Sequence, residues 1–167
     1  MIKLFSYLII SAFTIVVSAC NAPGDKLSEQ QSKSGADTLY SIFPQGNSGP
    51  AENFTGKAWN YGIVENDSSL TSVVGNVYFE AGARSNWHLH PAGQILIITA
   101  GEGYHQIRGQ PRELLKKGSV VKCPPNVLHW HGASETKGMQ QLYIIPNTEK
   151  GIVDWKEPVT DNEYRAK

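Results

Sequence analysis

The sequence predicts an all-β domain, a sandwich or barrel of short strands. Three observations carry this. Short apolar runs recur along the chain, turn signals rich in Gly or Pro separate them, and 16 Gly and nine Pro stand against two Met, unlike a helical bundle. In order, Val73–Phe79 ends at Glu80-Ala81-Gly82, and Gln94–Thr99 ends at a turn expected over Ala100-Gly101-Glu102-Gly103. Tyr104–Ile107 precedes Arg108-Gly109-Gln110-Pro111, and Leu114-Leu115 precedes Lys116-Lys117-Gly118. Val120–Cys123 precedes Pro124-Pro125-Asn126, and Met139–Ile145 closes the series. One helix is expected, over Thr160–Ala166, where Thr160 and Glu163 have capping-box spacing.

Ahead of this domain, residues 1–19 read as an export signal: Lys3, an apolar run from Leu4 to Val17, then Ser18-Ala19. The run falls short of the roughly 20 residues that span a bilayer. Val17-Ser18-Ala19-Cys20 resembles the bacterial lipobox, whose cysteine is acylated and becomes the mature N-terminus. Cys20 is therefore the expected lipidation site, and the protein an exported lipoprotein of the bacterial cell envelope, held to a membrane by lipid alone. Residues 20–37, polar apart from Leu27, are expected to be a flexible tether, and residues 38–167 one domain. The 15 basic and 15 acidic side chains cancel, and loss of Lys3 would leave a net charge of −1. No basic field exists to hold nucleic acid. With Cys20 acylated, Cys123 has no disulfide partner and is expected to be a small core residue with no neighbouring His.

Four of the five histidines form two His-x-His pairs, His88/His90 and His129/His131. Residues two apart on a strand face the same side, so each pair delivers two imidazoles to one face of a sheet. Neutral imidazole is a common ligand of Mn, Fe, Ni, Cu and Zn, and all five ions accept such a set. Gln94 follows His90 at an even offset, after the turn Pro91-Ala92-Gly93. His105 has no partner two residues away and is expected at the surface, off any metal. Arg84 is assigned nothing.

Two longer patterns run through these residues. Gly82-x5-His88-x-His90-x3-Gln94-x6-Gly101 resembles the first cupin motif, with Gln94 where Glu is usual. Gly118-x5-Pro124-x-Asn126-x2-His129-x3-Ala133 resembles the second, with Asn126 in place of Gly and Ala133 in place of Asn. Asn tolerates the left-handed backbone better than most residues, so Asn126 is a mild departure. The chain further resembles the small bacterial cupins that include manganese-dependent hydroxynitrile lyases, over roughly residues 43–164. The resemblance implies the cupin jelly-roll barrel, or double-stranded β-helix, with a divalent transition metal on His88, His90, Gln94 and His129. It favours Mn and makes His131 the pocket histidine that stays off the metal and handles protons. Val77, on the opposite sheet, with Gln141, Tyr143 and Ile145 are expected to line the substrate pocket; the related lyases carry a histidine where this chain has Gln141.

A neutral amide in place of a carboxylate leaves the full divalent charge uncompensated, which favours Lewis-acid chemistry over redox chemistry with dioxygen. Three functions follow: a hydroxynitrile lyase-like carbon–carbon lyase on small hydroxylated or carbonyl compounds, a metal-dependent dioxygenase, or a non-catalytic envelope lipoprotein binding a small ligand or metal. In the lyase, a cyanohydrin would lose its hydroxyl proton to His131 and release cyanide and an aldehyde. With Gln94, Leu96, Ile98, Gln141, Tyr143 and Ile145 inward, Ile95, Ile97, Leu142 and Ile144 face outward. Strands apolar on both faces are covered on both. A homodimer, which the resemblance also implies, is expected to cover this patch, with Leu39–Phe43 and Ile152–Trp155 as the alternative cover.

Overall fold

The computed structural model describes residues 42–166; the expected signal, Cys20 and the tether lie outside the described residues. The strands are β1 (Asn47–Ser48), β2 (Phe54–Thr55), β3 (Ala58–Val64), β4 (Ser72–Phe79), β5 (Arg84–Ser85) and β6 (His88–Leu89). They continue as β7 (Gln94–Ile107), β8 (Glu113–Lys116), β9 (Val120–Cys123), β10 (His129–Ala133), β11 (Met139–Pro146) and β12 (Asp154–Trp155), followed by a helix, α1 (Asp161–Arg165). The order β1-β3-β4-β11-β7-β10-β5-β2 curls one antiparallel sheet into a jelly-roll barrel, with β8 and β9 also on β7, and β6 joining β10 to β12. The all-β fold class expected from the sequence is the one observed.

The barrel closes because β7 serves both halves. Its first residues pair with β9 and β11, and its last with β8 and β10. Hence the turn expected at Ala100–Gly103 does not form, and the strand runs through it. Gly101 sits at φ +75°, and the register on β11 slips between Gln140 and Gln141, so the glycine bends the strand from one half to the other. A Cβ on Gly101 would overlap the carbonyl oxygen of Gly138. Gly101→Ala should therefore cost about 2 kcal/mol or more, read as a lowered urea midpoint.

Along β7, Gln94, Leu96 and Ile98 are buried while Ile95 and Ile97 are half-exposed, the alternation expected from parity. Leu96 and Ile98 pack with Phe79, Val121, Cys123, Ala133 and Met139 in the main core. Strand β3 escapes sequence reading because polar Asn60 and glycine Gly62 interrupt its apolar residues. Asn126 takes φ 60°, as its substitution for Gly requires.

The expected helix forms with its capping box: Thr160 Oγ1 accepts from the Glu163 N–H at 3.2 Å, and a Glu163 carboxylate oxygen accepts from the Thr160 N–H at 2.8 Å. Arg84 turns out to be structural. It is buried, donates twice to the Val159 carbonyl at 3.2 and 3.0 Å and to Asp161 at 2.7 Å, and lies over the Tyr164 ring. It thereby pins the start of α1 to the barrel. The segment Ile152–Trp155 does not pair beside Ile95 and Ile97: β12 lies on β6, which β10 separates from β7.

Candidate metal centre

The short strand β6 lies against β10 with His88 opposite His129, and β10 lies against β7 with His131 opposite His105. This register gathers all five histidines inside the barrel. The His88 and His129 ring centroids are 4.4 Å apart, His88 and His90 5.1 Å, and His88 and His131 5.1 Å. The turn before β7 has Gly93 at φ +83°, where any Cβ would press on the Cys123 carbonyl, and it returns Gln94 to the same interior.

Hydrogen bonds decide what these rings can do. Nδ1 of His88 faces the Asn86 carbonyl at 2.9 Å, Nδ1 of His90 the Ile152 carbonyl at 2.5 Å, and Nδ1 of His129 the Val127 carbonyl at 2.9 Å. A carbonyl only accepts, so each Nδ1 carries the proton and each Nε2 presents a lone pair to the interior. His129 Nε2 is 3.2 Å from Gln94 Oε1, so two acceptors face each other, and the buried His90 Nε2 has no partner. A cation is what such converging acceptors lack. Burial also holds the His88 and His131 pKa values far below the ordinary imidazole range, lowers that of His90, and brings His129 to about 3. The four imidazoles are neutral at pH 7, the state a metal requires. The donor set fits a divalent ion.

His131 differs from the other three. Its Nδ1 is 2.9 Å from the carboxamide nitrogen of Gln141, and its buried Nε2 has no partner. Phe79 meets its ring edge-on at 5.8 Å. By proximity alone the tightest trio of potential ligand atoms is His88, His129 and His131, all within 4.8 Å of one another, rather than a set containing His90. The carbonyl-anchored rings, by contrast, are His88, His90 and His129.

A cavity of about 590 Å³ opens onto this cluster, a size usual for small-molecule sites. His88, His90, Gln94 and His131 form its floor, and Val77, Tyr143 and Ile145 its apolar wall. Gln141 does not line it. It is fully buried behind His131, where its polar head meets a ring rather than a ligand. Val77 stands on β4, directly across from Gln141 on β11 in the same sheet, not an opposite one.

Two further expectations are corrected. His105 is buried, with Nε2 3.5 Å from Cys123 Sγ and Nδ1 3.7 Å from Glu113. Its register with His131 fixes it inside, which spacing along the chain could not reveal. Cys123 thus has a His neighbour after all, but burial pushes its thiol up to about 12, so it stays protonated. Sequence reading also missed Asn60, which lines the cavity and bonds to Tyr143, and Trp155, whose ring lies 4.8 Å from that of His88. Asn60 gives no usable signal, because it and Gly62 interrupt the very strand that places it. The carbonyls of Asn86, Val127 and Ile152 carry none.

Comparison with known proteins agrees with this geometry. The cupin domain model matches residues 75–145. An (R)-mandelonitrile lyase of Granulicella tundricola is 42% identical over 117 residues, 70% of this chain and 89% of the relative. The crystal structure of a cupin-like protein from Thermotoga maritima superposes with a TM-score of 0.74 at 43% identity, covering 75% of this chain and 96% of that one. A DMSP lyase of Ruegeria pomeroyi shares the fold alone, with a TM-score of 0.54 at 22% identity over 65% of this chain and 54% of that one. With the barrel, the histidine cluster and a relative matched over most of its length, this chain belongs to the cupin family.

Proposed function

We propose that the protein is a metal-dependent carbon–carbon lyase acting on small hydroxylated or carbonyl compounds, of the hydroxynitrile lyase type, with His88, His90, Gln94 and His129 as ligands and manganese as the ion of first choice. The observation that carries this reading is the cavity: an apolar wall of Val77, Tyr143 and Ile145 leads to a floor that holds the unpartnered Nε2 atoms of His90 and His131. That arrangement suits a molecule with an apolar body and one reacting oxygen. The 42% identical relative named as an (R)-mandelonitrile lyase supports the same class. A bound divalent ion would polarise a hydroxyl or carbonyl oxygen as a Lewis acid. The chain's own groups do the rest: the apolar wall excludes water and orients the substrate body, and His131 meets the reacting oxygen at Nε2. The test incubates manganese-loaded protein with mandelonitrile and follows cyanide, benzaldehyde and dissolved oxygen together. Cyanide and benzaldehyde in equal amounts without oxygen uptake support the lyase, whereas oxygen uptake without cyanide replaces it with an oxygenase.

Export as a lipoprotein through Cys20, with residence in the cell envelope, belongs to this proposal and rests on the sequence around Cys20. So does a homodimer. Ile95, Ile97, Leu142 and Ile144 are half-exposed on the outer sheet face, and Val120, 62% exposed, lies in register beside Ile97. Such a patch is a liability unless covered. Phe43 stacks on Tyr61 of β3, two strands from β11 on the path through β4. Light scattering on residues 38–167 should give twice the protomer mass at micromolar concentration, and Ile97→Lys with Ile144→Asp should halve it. A wild-type monomer refutes the dimer.

A further inference from the structure

The side chain of Gln141 has one polar neighbour for its amide nitrogen, and that neighbour is His131. Gln141 is fully buried, with Val77 and Ile98 as its register partners on the two flanking strands. An amide in such surroundings holds its hydrogen bond tightly, because losing it strands a buried donor at a cost of about 1–3 kcal/mol. An amide N–H only donates, so His131 Nδ1 must accept, and the ring's proton then sits on Nε2. This is the reverse of His88, His90 and His129, whose Nδ1 atoms all face carbonyls.

Turning the amide over would invert the result. Oε1 would accept from Nδ1–H, and Nε2 would become a lone pair able to join His88 and His129, the three rings each having a nitrogen within 4.8 Å of the others. In the observed orientation Gln141 Oε1 and the proton-bearing His131 Nε2 are the atoms left without a partner in the protein; turned over, the amide NH2 group would be.

We propose that Gln141 is a positioning residue that fixes His131 as its Nε2–H tautomer, so that His131 stays off the metal and meets the substrate as a hydrogen-bond donor. A resting Nε2–H does not take a proton from a hydroxyl. It donates to an oxygen that carries or develops negative charge, so the hydroxyl proton of a cyanohydrin leaves to water in the cavity rather than to His131, and the hydrogen bond then holds the alkoxide oxygen as the carbon–carbon bond breaks, cyanide departs and the carbonyl forms. The expectation that His131 removes the substrate proton is thereby replaced. This inference deepens the lyase reading and rests on it for the identity of the oxygen, but not for the tautomer.

The experiment is long-range proton–nitrogen NMR on the full chain labelled with 15N-histidine, metal-free and again with Zn(II). In the metal-free wild type, His131 should show a proton on Nε2, and His88, His90 and His129 a proton on Nδ1. Gln141→Glu, whose carboxylate only accepts, should move the His131 proton to Nδ1 while the chain still binds one Zn(II). Gln141→Met, close in shape and without a donor, should leave His131 in no single tautomer. Turnover should fall about hundredfold in the Glu variant with little change in KM. A proton on His131 Nδ1 in the wild type overturns the proposal, and so does a His131 proton that stays on Nε2 in both variants. The wild-type spectrum decides even if a variant fails to fold. Absence of cyanide release with the tautomers as stated would sink the lyase reading and leave the Gln141 assignment standing.

Discussion

Replacing His131 with alanine should leave the metal in place and lower turnover by about a hundredfold or more. The ring is the one imidazole of the cavity floor whose Nδ1 has no carbonyl partner, so its removal deletes the polar group facing the substrate and no anchored ligand. Groups that donate to or exchange protons with a reacting oxygen typically contribute on this scale. Metal analysis and steady-state kinetics on the same preparation check both halves of the expectation. Loss of the ion in this variant would make His131 a ligand, as the tight His88, His129 and His131 trio permits, and persistence of both ion and rate would leave it without a role.

The largest expected effect on stability comes from the double substitution His88→Ala and His129→Ala. These two rings face each other across β6 and β10, and both are fully buried. Each presents an Nε2 lone pair because its Nδ1 is tied to a carbonyl. Without them two acceptors of the set are gone, and the variant should bind no stoichiometric ion. A ligand that binds only the folded state adds stability with concentration, by about 2.7 kcal/mol at a hundredfold excess over Kd. The rise in thermal midpoint on adding Mn(II) to the metal-free wild type should therefore vanish in the variant. Stoichiometric metal surviving there would place the site elsewhere.

Much of this was legible because β structure converts spacing into direction. Alternation along Gln94–Ile98 and Gln141–Ile145 separated inward from outward residues, and the two His-x-His pairs became two imidazole pairs on one interior. Cap chemistry is equally local, which is why Thr160 and Glu163 announced α1. What failed depended on contacts between segments distant in sequence. Gly101 looks like a turn residue, but as a corner inside a long strand its role comes from Gly138 across the sheet. His105 looks solitary, but its register with His131 buries it. Arg84 has no assignable role until Val159 and Asp161, some 75 residues on, supply its partners. The protonated nitrogens of His88, His90, His129 and His131 were beyond reach for the same reason, since backbone carbonyls and one amide decide them.

The proposed ion sits on His88, His90, Gln94 and His129 while His131 stands off it. A crystal structure of the Mn(II)-loaded protein, with anomalous difference density collected near the manganese edge, tests it most directly. One peak per chain is expected, bonded to the three Nε2 atoms of His88, His90 and His129 and to Gln94 Oε1, with His131 Nδ1 still on Gln141. An ion bonded to His131 Nε2 in place of His90, with the Gln141 amide turned over, would contradict it.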